Sequence, residues 1–183
     1  MEHPCIVFRD MSDPATFEKP KDSAVILPGS FDPPTVGHLE VIRRAAEIFP
    51  AVYVTVFQNP DKHCMFTPEE RAMMLAAATD RYENVLPTYS LGFVTDYARE
   101  HRVRRLVKGY RGEDDIDYEI AQAEWNYRMG GLITELWLAP EELRSVSSTE
   151  ARRRLKACEP TDGILSPEVL GVIRHIAERK GKI

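Results

Sequence analysis

This sequence is short of everything that would staple or anchor a chain. Its three cysteines, Cys5, Cys64 and Cys158, are odd in number, far apart and never in a CxxC spacing, so they offer neither a disulfide framework nor a zinc site. That usage suits a reducing cytoplasm. No apolar run approaches the ~18 residues that a membrane span needs, and the opening "MEHPCIVFRDMSDP" has neither the basic start nor the long apolar core of a signal peptide. There is no basic excess either. Twenty-four Lys and Arg against 29 Asp and Glu leave a formal charge of -5, which argues against a protein that coats nucleic acid. Internal repeats and low-complexity tracts are absent. What remains is an ordinary globular composition, 43% hydrophobic and 29% charged, in 183 residues, enough for one well-filled core.

From Ala24 onward short β-rich runs alternate with helical stretches. "AVIL" precedes a helix over Val36–Phe49, "AVYVTVF" one over Pro68–Thr79, and "NVLPTY" one over Phe93–His101. "RRLVK" precedes a helix over Asp115–Met129, and "LITELWL" is followed by two C-terminal helices. Near-continuous apolar strands alternating with helices predict an open parallel α/β sheet, covered on both faces. Residues 1–22 read as an extension ahead of the domain at 23–183, in which "CIVF" has the makings of a short edge strand. Helix starts carry their own signals. "TPEER" supplies Thr67 as N-cap, a proline behind it and Glu70 to close a capping box, and "SPEV" repeats that logic at Ser166.

The stretch that carries chemistry is "LPGSFDPPTVGH", at the end of the first predicted core strand. In open α/β sheets ligands bind beyond the C-terminal strand ends, beside helix N-termini. Gly29 allows a tight turn there, Ser30 offers an N–H and a hydroxyl, and Gly37 leaves room at the first helical turn. His38 follows in that turn, where the helix N-terminus attracts an anion. The bland alternative is a histidine that serves only to pack the helix entry. Elsewhere the bland reading is the better one. "RAMMLAAA" is a core helix face, Glu113 and Asp114 belong to a solvated acidic helix start, and "HRVRR" is a solvated turn. His63 and Cys64 have no partners at metal-ligand spacing, so no metal ligands are assigned. Trp125 and Trp137 suit core or subunit contacts.

"GSFDPPTVGH" resembles the GxFDPxxxGH signature of the nucleotidyltransferase superfamily, and three further stretches are similar to its phosphopantetheine adenylyltransferase family. "NPDKHCMFTPEER" resembles NPxKxxxFTxEER, "LVKGYRGEDDIDYEIAQAEWNYR" resembles RGLR…DFEYE…NR, and "SVSST" resembles an ISSS loop. The resemblance implies a Rossmann-like nucleotidyltransferase fold with C-terminal helices. It also implies transfer of AMP from ATP to 4′-phosphopantetheine, giving dephospho-coenzyme A and pyrophosphate. It assigns His38, Lys62 and Arg111 to catalysis, and Ser30, Phe31, Gly109, Glu119, Ser147, Ser148 and Thr149, with His38 and Arg111, to ATP. Ser30, Lys62, Val94 and Lys108 fall to the acceptor. Mg²⁺ is implied by the triphosphate, and a homo-oligomer, a hexamer, by the family. The chain departs from the pattern at Lys108, where the family has Arg, and at Tyr110, where it has Leu. "SSTEARRRL" is closer to the ISSTxIR of nicotinate mononucleotide adenylyltransferases, which keeps that acceptor open. A nucleotide-binding regulator without turnover is the remaining alternative.

Overall fold

The computed structural model describes residues 4–17, 23–58 and 63–181. Its centre is a six-stranded sheet, all parallel, in the order β1-β6-β5-β2-β3-β4. The strands are β1 (Ile6–Asp10), β2 (Val25–Gly29), β3 (Val52–Phe57), β4 (Val85–Ser90), β5 (Arg105–Tyr110) and β6 (Ile133–Leu138). Between and after them run α1 (Val36–Ile48), α2 (Pro68–Thr79), α3 (Val94–Glu100), α4 (Glu113–Gly130), α5 (Ser148–Ala157) and α6 (Pro167–Arg179). The expected alternation is present, with α4 beginning two residues before the expected Asp115 because Glu113 and Asp114 already occupy its first turn.

Side-chain alternation along the strands sorts the helices onto two faces. Val25 and Leu27 of β2, Val52, Val54 and Val56 of β3, Val107 and Trp137 pack with Val41, Ile42 and Ala45 of α1 and Leu75 of α2. On the other face Ile26 and Leu106 meet Tyr97 and Ala98 of α3, and Leu136 meets Ala123 of α4. α5 and α6 close over α2 through Met74, Ala151, Leu165, Val169 and Ile176. The capping box at Thr67 and the N-cap at Ser166 both form. Thr67 accepts from Glu70 N at 3.2 Å while Glu70 accepts from Thr67 N at 3.0 Å, and Ser166 accepts from Val169 N at 3.3 Å.

β2 is the strand from which the chain diverges. The connection through α1 leads to β3 on one side, and the later strand β5 pairs with β2 on the other, at Ile26↔Leu106. Two strands leaving a common position in opposite directions open a crevice at their C-terminal ends, the usual ligand site of such sheets. Gly29–Ser30 and Lys108–Arg111 both sit there.

The N-terminal extension supplies the edge strand. β1 runs parallel to β6 from Ile6↔Thr134 to Asp10↔Leu138, starting one residue later and ending two residues later than "CIVF". It is held by a buried carboxylate. Glu135, 1% exposed, accepts from Arg9 Nε at 2.5 Å, Arg105 Nη1 at 2.6 Å and Trp137 Nε1 at 3.0 Å. Arg105 was read as part of a solvated turn. Its guanidinium instead neutralises Glu135, because β5 presents it on the same face of the sheet, two residues before Val107, the register partner of Glu135. Phe17 then folds back edge-on to Trp137 at 4.9 Å, between the guanidinium groups of Arg9 and Arg44. Removing one partner from a buried, multiply bonded charge leaves the others uncompensated. Glu135→Ala should therefore lower unfolding free energy by about 3 kcal/mol. A shift in the urea midpoint corresponding to less than about 1 kcal/mol would show that solvent already screens the two arginines.

Candidate active site

Thr35 ends the motif loop as the N-cap of α1, with φ -109° and ψ 167°. A capping box normally closes with Glu or Gln at the third helical position. Here that position is His38, and its Nδ1 lies 3.0 Å from the backbone nitrogen of Thr35 and 2.9 Å from Thr35 Oγ1. Because the Thr35 N–H donates to Nδ1, the Nδ1 lone pair is in use and the neutral ring carries its proton on Nε2. The helix-entry role and the functional role thus share one side chain: one nitrogen caps, and the other is left as an oriented donor. The ring also meets Phe31 at 5.1 Å in an edge-to-face contact. Part of the residue reaches solvent, yet the imidazole lies within protein. Burial, followed by the charge of Arg111, lowers its pKa from the ordinary 6.5 to about 4. The same effect places Arg111, from the end of β5, in the electrostatic reach of His38.

The motif loop is braced from three sides. Asp32, 4% exposed, accepts from Met65 N at 2.8 Å and Phe66 N at 2.9 Å, tying the loop to the segment ahead of α2. From α5, Ser148 Oγ donates to Pro33 O at 2.8 Å and Arg152 Nη1 donates to Asp32 O at 2.7 Å. From α2, Arg71 Nη1 donates to Ser30 O at 2.6 Å. Gly29 has a steric role, since a Cβ there would lie 2.8 Å from the ring of Phe31, which itself sits at φ 47°.

The remaining expected residues fall in several places. Ser30, Phe31, His38, Arg111, Ser147, Ser148 and Thr149 gather around the crevice and the α5 N-terminus, but the three hydroxyls are not idle. Ser147 Oγ caps Glu150 N at 3.1 Å, Ser148 holds Pro33, and Thr149 Oγ1 accepts from Arg152 Nη2 at 3.2 Å. Lys108 and Glu119, expected on the acceptor and nucleotide sides, form a pair with Nζ and Oε2 2.5 Å apart and both side chains largely covered. Val94 begins α3 and packs beside Tyr97 and Leu106 on the same face of the sheet as Lys108. Gly109 has a packing role besides the one expected, and Gly37 has room around it. A Cβ on Gly109 would strike Val41 Cγ2 at 2.8 Å, so its smallness serves α1 packing, whereas a Cβ on Gly37 would meet only ordinary contacts. Lys62 lies outside the described residues.

Arg111 is gripped by Asp115, with Nε at 2.7 Å and Nη2 at 2.8 Å from the two carboxylate oxygens. This fork uses two of the five guanidinium N–H groups and leaves three for an anion. The pairing raises the pKa of Arg111 and lowers that of Asp115, first through the side-chain hydrogen bonds. Arg111, Gly112, Asp114, Asp115 and Arg144 line a cavity of about 210 Å³. Arg144, Asp115, Arg152 and Arg71 were missed from sequence. Three of them had a signal in the stretches quoted above, Arg152 as the Arg that ends ISSTxIR, Arg71 as the Arg that ends FTxEER and Asp115 as the first residue of the DFEYE match; Arg144 is placed by the fold alone.

The cytidylyltransferase-like family model matches residues 26–154, from β2 into α5, so that β1 precedes the match. The chain is 40% identical over 129 residues to the phosphopantetheine adenylyltransferase of Actinobacillus pleuropneumoniae serotype 3 (strain JL03), covering 70% of this chain and 82% of that protein. It is 37% identical over 156 residues to the phosphopantetheine adenylyltransferase of Streptococcus equi subsp. equi (strain 4047), with 84% and 94% covered. With the protein of that name from Symbiobacterium thermophilum it shares 39% identity over 143 residues, 78% of this chain and 88% of the relative. The motif at the switch point, the parallel sheet that carries it and these similarities agree: the chain belongs to the cytidylyltransferase-like family, alongside the phosphopantetheine adenylyltransferases.

Proposed function

We propose that the protein transfers AMP from ATP to 4′-phosphopantetheine, giving dephospho-coenzyme A and pyrophosphate. The observation that carries this reading is the His38 imidazole, its Nδ1 held by Thr35 and its Nε2 proton presented in the first turn of α1 at the β2/β5 divergence, in a chain of this family. A phosphate oxygen of the acceptor attacks the α-phosphorus of ATP in line, its bond forms as the bond to pyrophosphate breaks, and no covalent enzyme intermediate is needed. The work is positioning and charge stabilisation. His38 Nε2–H donates to an α-phosphate oxygen and strengthens that bond as charge builds. Ser30, Lys108 and Lys62 receive the acceptor phosphate, with Val94 beside its organic arm. Arg111, oriented by Asp115, and the α5 N-terminus receive the leaving pyrophosphate. Mg²⁺ enters with the triphosphate as part of the substrate.

We place the reaction in the reducing cytoplasm, supported by the three free cysteines. No helix among the described residues is long and apolar enough to cross a membrane. We also propose a homo-oligomer. Its support is an apolar surface on the α3/α4 side, where Phe93 and Trp125 lie 6.4 Å apart and are 66% and 41% exposed, with Met129 nearby in sequence at 63%. Sedimentation equilibrium should give a multiple of the 20.9 kDa chain mass, and a monomer at micromolar concentration would refute assembly.

Pyrophosphate release from MgATP should occur with 4′-phosphopantetheine and not with nicotinate mononucleotide; the reverse preference would overturn the acceptor, and ATP binding without release would leave a sensor. His38→Ala should cut kcat by roughly 10²- to 10³-fold with ATP affinity changed far less. Equal losses in both would reduce the imidazole to ground-state binding. The lowered pKa adds a stability window. Between pH 6.5 and about 4 the unfolded chain binds a proton at His38 that the folded chain refuses. This contribution to stability is thus complete above pH 6.5 and declines as pH falls toward 4, a slope that should be weaker in His38→Ala.

A further inference from the structure

Arg71 is a buried cation with no counter-ion among the described residues. It is 1% exposed and ranks with Trp137 among the largest fully buried side chains. Its two hydrogen bonds go to carbonyls, Nε to Thr67 O at 3.2 Å and Nη1 to Ser30 O at 2.6 Å, and no carboxylate of the described residues forms an ion pair with it. The carboxylates around it are engaged or solvated. Asp32 takes the N–H groups of Met65 and Phe66 and faces Arg152, Glu70 pairs with Lys180, and Glu69 is exposed, its carboxylate feeling Arg71 only as the last of the influences that lower its pKa. Burying a charge without a partner is costly, and folded chains rarely do so unless something else brings the opposite charge.

The other end of the bonded peptide shows where that charge belongs. A trans peptide directs its N–H opposite to its C=O. With Ser30 C=O drawn to Arg71, the N–H of Phe31 points away from the guanidinium. Phe31 is 2% exposed and holds φ 47°, and its N–H finds no acceptor among the described residues. Buried backbone donors are almost always paired. An orphan N–H and an orphan cation on the two sides of one peptide call for the same missing group, an anion at the motif loop.

We infer that Arg71 is a positioning residue for a phosphate group at the motif loop. It fixes the Ser30–Phe31 peptide with the N–H toward the ligand and supplies from behind it the positive charge that the ligand neutralises. The inference rests on the adenylyltransferase reading only for which phosphate arrives, not for the presence of one. It separates the charge of Arg71 from its bracing of α2 to the loop, because the two respond differently to substitution.

The experiment uses the full chain and inorganic phosphate at fixed ionic strength, with dissociation constants from calorimetry and thermal midpoints with and without ligand. Arg71→Met keeps the length and removes the charge. Its midpoint without ligand should stay close to that of the unsubstituted protein, since an unpaired buried charge is lost along with the hydrogen bonds, while phosphate affinity falls roughly 10- to 100-fold. Arg71→Lys keeps the charge and loses the fork, so it should bind phosphate within about threefold of the unsubstituted protein despite a lower midpoint. Unchanged affinity in Arg71→Met would overturn the inference. Should Arg71→Met fail to fold, Arg71→Lys decides alone: retained affinity supports the charge, and a loss of tenfold or more overturns it. Turnover of the unsubstituted protein with 4′-phosphopantetheine is read in parallel, so that a wrong acceptor shows there and leaves the phosphate comparison standing.

Discussion

The pairing of β2 with β5 governs everything around the site. Had β5 been placed beyond β4, the end of β2 would lie between strands running to neighbours on the same path, with no cleft above it. By returning to the far side of β2, β5 leaves the ends of the two strands diverging, and the motif loop and the Lys108–Arg111 segment face each other across the gap. His38 and Arg111 are 73 residues apart in sequence yet near enough for one to shift the titration of the other.

Cations gathered at one strand end repel, and the chain manages this with its own carboxylates. Asp115 and Glu119, one turn apart on α4, hold Arg111 and Lys108, which stand three residues apart at the end of β5. The Asp115 fork leaves guanidinium N–H groups free, so orientation is gained without surrendering the whole donor set. Lys108 is a point charge rather than a fork, and its partner Glu119 reduces the field it offers an incoming phosphate. Arg71 has no ion-pair partner among the described residues, and that contrast is what marks it out.

The extension that contributes β1 does structural work at a distance from this chemistry. It hides the edge of β6, covers Trp137 with Phe17 and completes the set of donors around Glu135. The family match begins only at Ile26, so this chain adds an outer strand to the matched core. A buried carboxylate shared by three strand side chains fixes the register of β1, since a slip by one residue would turn Arg9 to the opposite face.

By itself the sequence settled the alternation of strands and helices, the capping signals at Thr67 and Ser166, and the motif with His38 at its helix entry. These depend on local spacing and on residue types whose conformational preferences act over a turn or two. It could not tell which of its charged residues would be buried together. Arg105, which looked solvated, lies against Glu135, and Gly109, expected to let a nucleotide approach, also makes room for Val41. Asp115 stood in an acidic helix start and Arg71 at the end of "TPEER", with nothing in their spacing to show what each would hold. Only the strand order and the packing of α1, α2 and α4 onto it decided their partners, because burial and pairing depend on neighbours brought from dozens of residues away.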